Sequence, residues 1–117
     1  MRLNEVTFGD AIPVSGYGPG FFRVGEQVIN GGMRVLQGTV TLWKGYEDTE
    51  ELIKSASDID VLLLGTGAET AHPPAPFRTA MEAAGIGLEP MSSPAACRTY
   101  NVLLGEGRRV GLAVLPV

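Results

Sequence analysis

A chain of 117 residues with 44% hydrophobic and 19% charged side chains has the size of one domain and can bury a core without disulfide or metal support. The net charge of −4 argues against a nucleic-acid-binding surface, which needs clustered Lys and Arg. One cysteine, Cys97, and one histidine, His72, leave no internal disulfide and no Cys/His zinc set. No run reaches the apolar length of a membrane span. The opening MRLNEVTFGD carries acids and lacks a signal-peptide core. The expectation is a soluble cytoplasmic protein with no cofactor; a matrix protein freed of its transit peptide would read the same.

Residues 1–20 read as an irregular N-terminal segment, because PVSGYGPG (Pro13 to Gly20) has the Gly and Pro density of a loop. FFRVGEQVINGGMRVLQGTVTLW follows. Its short β-rich runs are separated by Gly25-Glu26, Asn30-Gly31-Gly32 and Gln37-Gly38, which predicts three or four antiparallel strands joined by tight reversals. From Tyr46 the pattern changes. In DTEELIKSA, Asp48 and Glu51 have capping-box spacing, and Leu52, Ile53 and Ala56 share a face. DVLLLGTG is a continuous apolar run ending in glycines, the pattern of a strand buried on both faces. APFRTAMEAAG places Phe77, Ala80, Met81 and Ala84 on one helical face, with Gly85 as its stop. IGLEPMS is a weaker strand interrupted by Pro90. SPAACRTYNVLLGEG predicts a third helix capped by Ser93, and RVGLAVLPV a final strand. The resulting expectation is a single α/β domain over 1–117, with N-terminal antiparallel hairpins followed by strand–helix alternation and right-handed crossovers. Val61–Leu64 should lie beside Val110–Leu115.

Few residues suggest chemistry. Cys97 falls on the helical arc of Ala96, Tyr100, Leu103 and Leu104. The arc favours a small apolar core residue over a thiol activated by a helix N-terminus and a cation. Arg98 is the next residue and points elsewhere, since adjacent side chains on a helix do not face each other. A cation in the first turn opposes the helix dipole unless an anion or acidic side chain lies nearby. GTGAET (Gly65 to Thr70) begins like a phosphate-binding turn, but Thr70 replaces the third glycine and AHPPAP delays the next helix. A nucleotide site is not expected. Thr66, Gly67, Thr70 and His72 could still line a crevice beyond the carboxyl ends of parallel strands. Tyr17, Phe21, Phe22 and Trp43 are read as core residues, with one or two left as surface anchors.

YGPGFFRVG, VLLLGTG with a following PP, GIGLEPM and above all AACRTYNVLLGEGRRV resemble a family of small α/β domains. Its eukaryotic relatives include a mitochondrial respiratory complex I assembly factor and an adipogenesis-associated protein. The resemblance implies a three-layer fold with a mixed sheet, distinct from a Rossmann domain. It implies no agreed catalytic residues. It places Cys97, Arg98, Thr99, Tyr100 and Asn101 in the family pattern beside Gly65, Thr66 and Gly67. The chain departs at Ser92-Ser93-Pro94, where an acidic residue and a threonine are expected.

Two functions follow. The first is a non-catalytic binding or assembly module with a protein partner, supported by the assembly-factor relatives and the lack of an acid/base pair. The second is an enzyme or small-ligand binder with an anion-receptive corner between the Gly65–Thr70 loop and the start of the third helix. The candidate residues are Thr66, Gly67, Arg98 and Asn101, with Cys97 as a possible reactive thiol. Convergence of Arg98 and the glycine loop on a concave pocket would favour the second.

Overall fold

The short alternating runs between Phe21 and Trp43 become four strands, within the three or four expected, and a fifth forms ahead of them in the segment read as irregular. The computed structural model describes residues 12–117; the expectations for MRLNEVTFGD lie outside them. The first three strands are β1 (Val14–Gly18), β2 (Phe21–Val24) and β3 (Gln27–Asn30), and they form an antiparallel sheet in that order. Then come β4 (Met33–Leu36), β5 (Thr39–Leu42), the short helix α1 (Glu50–Lys54), a 3-10 turn (Ala56–Asp58) and β6 (Val61–Gly65). Helix α2 (Ala75–Ala83), β7 (Gly87–Met91), helix α3 (Ser93–Gly105) and β8 (Val110–Val114) complete the chain. The second sheet has the order β5-β4-β8-β6-β7. It is mixed: β6 runs parallel to β7 and β8, while β4 runs antiparallel to β5 and β8.

The architecture is a three-layer α/β sandwich. Leu63 of β6 and Leu112 and Val114 of β8 face a cluster with Val14, Phe22, Val24, Met33, Val35, Ala96, Cys97 and Tyr100. This layer holds α3 and the small sheet. Leu62 and Leu64 face the other way, onto Leu52, Phe77, Met81 and Ile86 beneath α1 and α2. Every residue of β8 is buried, so this strand and β6 read as apolar runs without alternation. The expected register is present, with Val61 opposite Val110 and Leu64 opposite Ala113. The connections β6–α2–β7 and β7–α3–β8 run in opposite directions across the sheet. A single handedness then requires helices on opposite faces, as found. The antiparallel β4 and the Pro73-Pro74 pair between the glycine loop and α2 distinguish the fold from a Rossmann domain.

Several local expectations are corrected. Part of the irregular segment, Val14–Gly18, is a strand. Its glycines accommodate a bulge between Val14 and Gly16, and bulges and edge strands tolerate Gly and Pro. The Asn30-Gly31-Gly32 stretch is not a hairpin turn but the passage from one sheet to the other. Gly32 lies so close to the carbonyls of Trp43 and Val114 that a side chain there would block the passage. Asp48 does not cap α1. Its carboxylate accepts from the Lys44 N–H at 3.0 Å and pairs with Arg34 at 3.3 Å. Thr49 stands at the N-cap without a side-chain bond. The helix is five residues long and buries Leu52, leaving Ile53 42% exposed. Pro90 is accommodated because β7 is an edge strand. Helix α2 ends as its sequence predicts. Gly85 has φ +80, and the N–H groups of Gly85 and Ile86 donate to Glu82 and Met81 at 3.0 Å each.

Candidate functional site

The Gly65–Thr70 loop and the start of α3 do meet, and the chain's own hydrogen bonds fill the meeting point. The Thr66 N–H donates to the Met91 carbonyl at 2.8 Å. The Thr66 hydroxyl donates to the Glu69 carbonyl at 2.7 Å and accepts from the Ala71 N–H at 3.0 Å. Gly67 donates its N–H to Ser93 Oγ at 3.0 Å, while its carbonyl accepts from the Ser93 N–H at 2.7 Å. Ser93 Oγ in turn donates to the Leu115 carbonyl at 2.6 Å. A Cβ on Gly65 would lie 2.7 Å from Ser93 Cα, so glycine is what lets the end of β6 touch the helix.

This network moves the helix cap. Ser93 is fully buried and turned toward Leu115, so Ser92 takes the capping role expected of Ser93. Ser92 Oγ accepts from the Ala95 N–H at 3.3 Å, and the Ser92 carbonyl accepts from Ala96 at 2.8 Å. Pro94 has no N–H. The first-turn donors that would otherwise face an anion are therefore all engaged within the chain.

The remaining candidates diverge. Cys97 is 3% exposed and packed in the α3 core cluster. Burial pushes its thiol up to about 11, against a smaller opposing effect of the Arg98 charge. A thiolate is disfavoured there, which is the reverse of an activated nucleophile. Asn101 belongs to the scaffold: its Oδ1 accepts from the Val14 N–H and its Nδ2 donates to the Val14 carbonyl, both at 2.8 Å. Arg98 is exposed. Among the described residues it makes no ion pair. It shares the outer face of α3 with Val102, one turn on and 59% exposed.

Two clefts lie nearby on the α2 side of the sheet. One, of about 380 Å³, is lined by Thr70, Ala71, His72, Arg78 and Pro90. Two of the expected crevice residues, Thr70 and His72, line it; Thr66 and Gly67 do not. The second, of about 430 Å³, is lined by Lys44, Tyr46, Glu47, Pro74, Pro76 and Phe77. Behind it, Tyr46 and Phe77 pack at 5.1 Å between ring centroids, and Tyr46 meets Trp43 edge-on at 5.8 Å. Sequence reading missed Arg78. The available signal was the one noted at Arg98, a cation early in a helix where the dipole opposes it. Of the four aromatic candidates, Phe22 and Trp43 are buried and Tyr17 is 42% exposed. Among the described residues no cluster of His, Cys, Asp and Glu could hold a metal ion, and no helix is long and apolar enough to cross a membrane.

Known proteins are similar to this chain in sequence and in fold. An uncharacterized protein of Rhodobacter capsulatus is 45% identical over 117 residues, covering 100% of this chain and 94% of that protein. The NADH dehydrogenase (ubiquinone) 1 alpha subcomplex assembly factor 3 of Rattus norvegicus is 30% identical over 99% of this chain, which spans 66% of the rat protein's length. A solved structure described as an outer membrane protein from Bartonella henselae superposes with a TM-score of 0.82 at 31% identity, covering 92% of this chain and 96% of that one. A family model described as "Protein of unknown function (DUF498/DUF598)" matches residues 14–115, and the chain belongs to that family.

Proposed function

We propose that the chain is a non-catalytic, cytoplasmic protein-binding module that acts like an assembly factor, holding a partner through the outer face of α3. The observation that carries this reading is the alignment with a protein named an assembly factor across 99% of the chain. The geometry supports it. Thr66, Gly67, Ser93 and Asn101 are engaged in holding the fold together, and the Cys97 thiol is buried and protonated at neutral pH. What α3 offers outward is Arg98 with Val102 one turn on. A guanidinium beside an apolar side chain suits a protein contact, where arginine anchors are enriched and charge complementarity sets the partner. The partner's matching surface is acidic.

The test is crosslinking and affinity capture from native lysate with the parent chain, Arg98→Glu and Val102→Asp, each paired with a thermal melt. Both changes lie on an exposed face and leave the melt nearly unchanged. Losing one charge-assisted hydrogen bond, about 1.5–3 kcal/mol, lowers recovery of the crosslinked partner roughly tenfold or more. Equal recovery with all three proteins overturns the reading. So does Arg98→Glu with a much lower melting temperature and normal capture, which makes Arg98 structural.

A further inference from the structure

We propose that the cleft lined by Thr70, Ala71, His72, Arg78 and Pro90 binds a small organic anion, with a carboxylate or phosphate head held by Arg78 and an apolar body against Ala71 and Pro90. This site is separate from the α3 face and does not depend on the protein-binding role. Its position follows from topology. The chain leaving β6 turns toward α2 on one face of the sheet, and the chain leaving β7 turns into α3 on the other. Where adjacent parallel strands send their connections to opposite faces, a crevice opens beyond their carboxyl ends.

The chemistry of the lining points to an anion. In a chain of net charge −4, the ionisable side chains among the described residues that line this cleft are Arg78 and His72, both of the same sign when charged. The acids close in sequence are placed elsewhere. Glu89 precedes Pro90 on β7, and strand alternation turns it to the opposite face of the sheet. Glu69 and Glu82 do not line the cleft. Among the described residues, Arg78 has no ion-pair partner. Its fork of N–H groups matches a carboxylate or phosphate in two-point geometry. The contrast with the neighbouring corner is direct. There the hydroxyls of Thr66 and Ser93 have partners within the chain, whereas Thr70, His72 and Arg78 line the open cleft. The volume of about 380 Å³ falls within the range of small-molecule sites.

The experiment is a ¹H–¹⁵N NMR titration of the full chain with sodium phosphate and, separately, sodium isovalerate, at ionic strength held constant with chloride. The expected result is saturable, millimolar shifts of the Thr70, Ala71, His72 and Arg78 amides with at least one probe. Response to phosphate alone identifies a phosphate head, and response to isovalerate alone a carboxylate head; either supports the site. Arg78→Gln should weaken binding about tenfold or more. Ala71→Glu, an acid placed in the exposed loop, should abolish it. Arg108→Gln removes an equal charge at the other end of the sheet and should leave binding intact. Non-saturating shifts with both probes overturn the proposal. It is equally overturned if Arg78→Gln binds as the parent does, or if Arg108→Gln weakens binding as much as Arg78→Gln.

Discussion

Replacing Asn101 by alanine tests how the small sheet is attached to the rest of the molecule. Among the described residues strand β1 lies at the edge of its sheet, with β2 on only one of its sides. On its other side the N–H and carbonyl of Val14 have no strand partner among those residues, and Val14 is only 7% exposed. The Asn101 amide meets both groups at 2.8 Å, so one side chain does what a neighbouring strand would do. Each such bond contributes about 0.5–1.5 kcal/mol net, so losing both costs about 1–3 kcal/mol. For a domain of this size about 1 kcal/mol lowers Tm by roughly 4 °C, which gives a drop of roughly 4–12 °C. The assay is a thermal melt paired with amide hydrogen exchange, and the Val14 amide should lose protection before the β6 and β8 amides. Asn101→Asp refines the test. Its carboxylate still accepts from the Val14 N–H but sets a second oxygen against the Val14 carbonyl. Protonation restores the donor, so the folded state favours the protonated form and raises the folded pKa. The restored stability is fully present below the unfolded pKa and is lost as pH rises through the folded value. Asn101→Asp therefore approaches the parent in acid and falls away from it at neutral pH. If Asn101→Ala melts within about 1 °C of the parent and Val14 exchanges no faster, the clamp contributes nothing and the reasoning fails.

Three other predictions concern a buried and an exposed titratable group. Native Cys97, with its thiol pushed up to about 11 by burial, should alkylate orders of magnitude more slowly than the urea-unfolded chain at pH 8. Comparable rates would place it at the surface. Cys97→Asp should destabilise far more than Cys97→Ala, since it buries a charge with no partner; similar urea midpoints for the two would contradict that. At the opposite end of the sheet, Asp60 accepts from Arg109 at 2.7 Å, and this hydrogen bond holds its carboxyl below the usual carboxylate range. A lowered folded pKa contributes stability above the unfolded pKa that is lost as pH falls through the folded one. Asp60→Asn should therefore be slightly less stable than the parent at pH 7, and the difference should shrink in acid and in high salt. A difference that grows in acid would refute the pairing.

What the sequence determined by itself is the central apolar strands and the covered faces of the two longer helices. The runs DVLLLG and RVGLAV are strands because only a strand covered on both faces accepts unbroken apolar sequence, and β6 and β8 sit side by side at the centre. The arc of Ala96, Cys97 and Tyr100 put the cysteine in the core because helical periodicity reports which face is covered. Tertiary structure alone decided the rest. The early strands divide between two sheets, because β4 is drawn to β8, far along the chain, rather than to β3. Asn101 reads as a candidate binding residue until the fold brings it to Val14, 87 residues away. Ser93 reads as a helix cap until Leu115 and Gly67 arrive to claim its hydroxyl. Arg78 and His72 become cleft neighbours because α2 packs against the sheet beside β7, which brings Arg78 to Pro90 and the loop that carries His72. Periodicity is local, so it specifies which face of an element is covered. The partner of a polar side chain is chosen by whichever distant segment packs against it, and no neighbour in sequence carries that information.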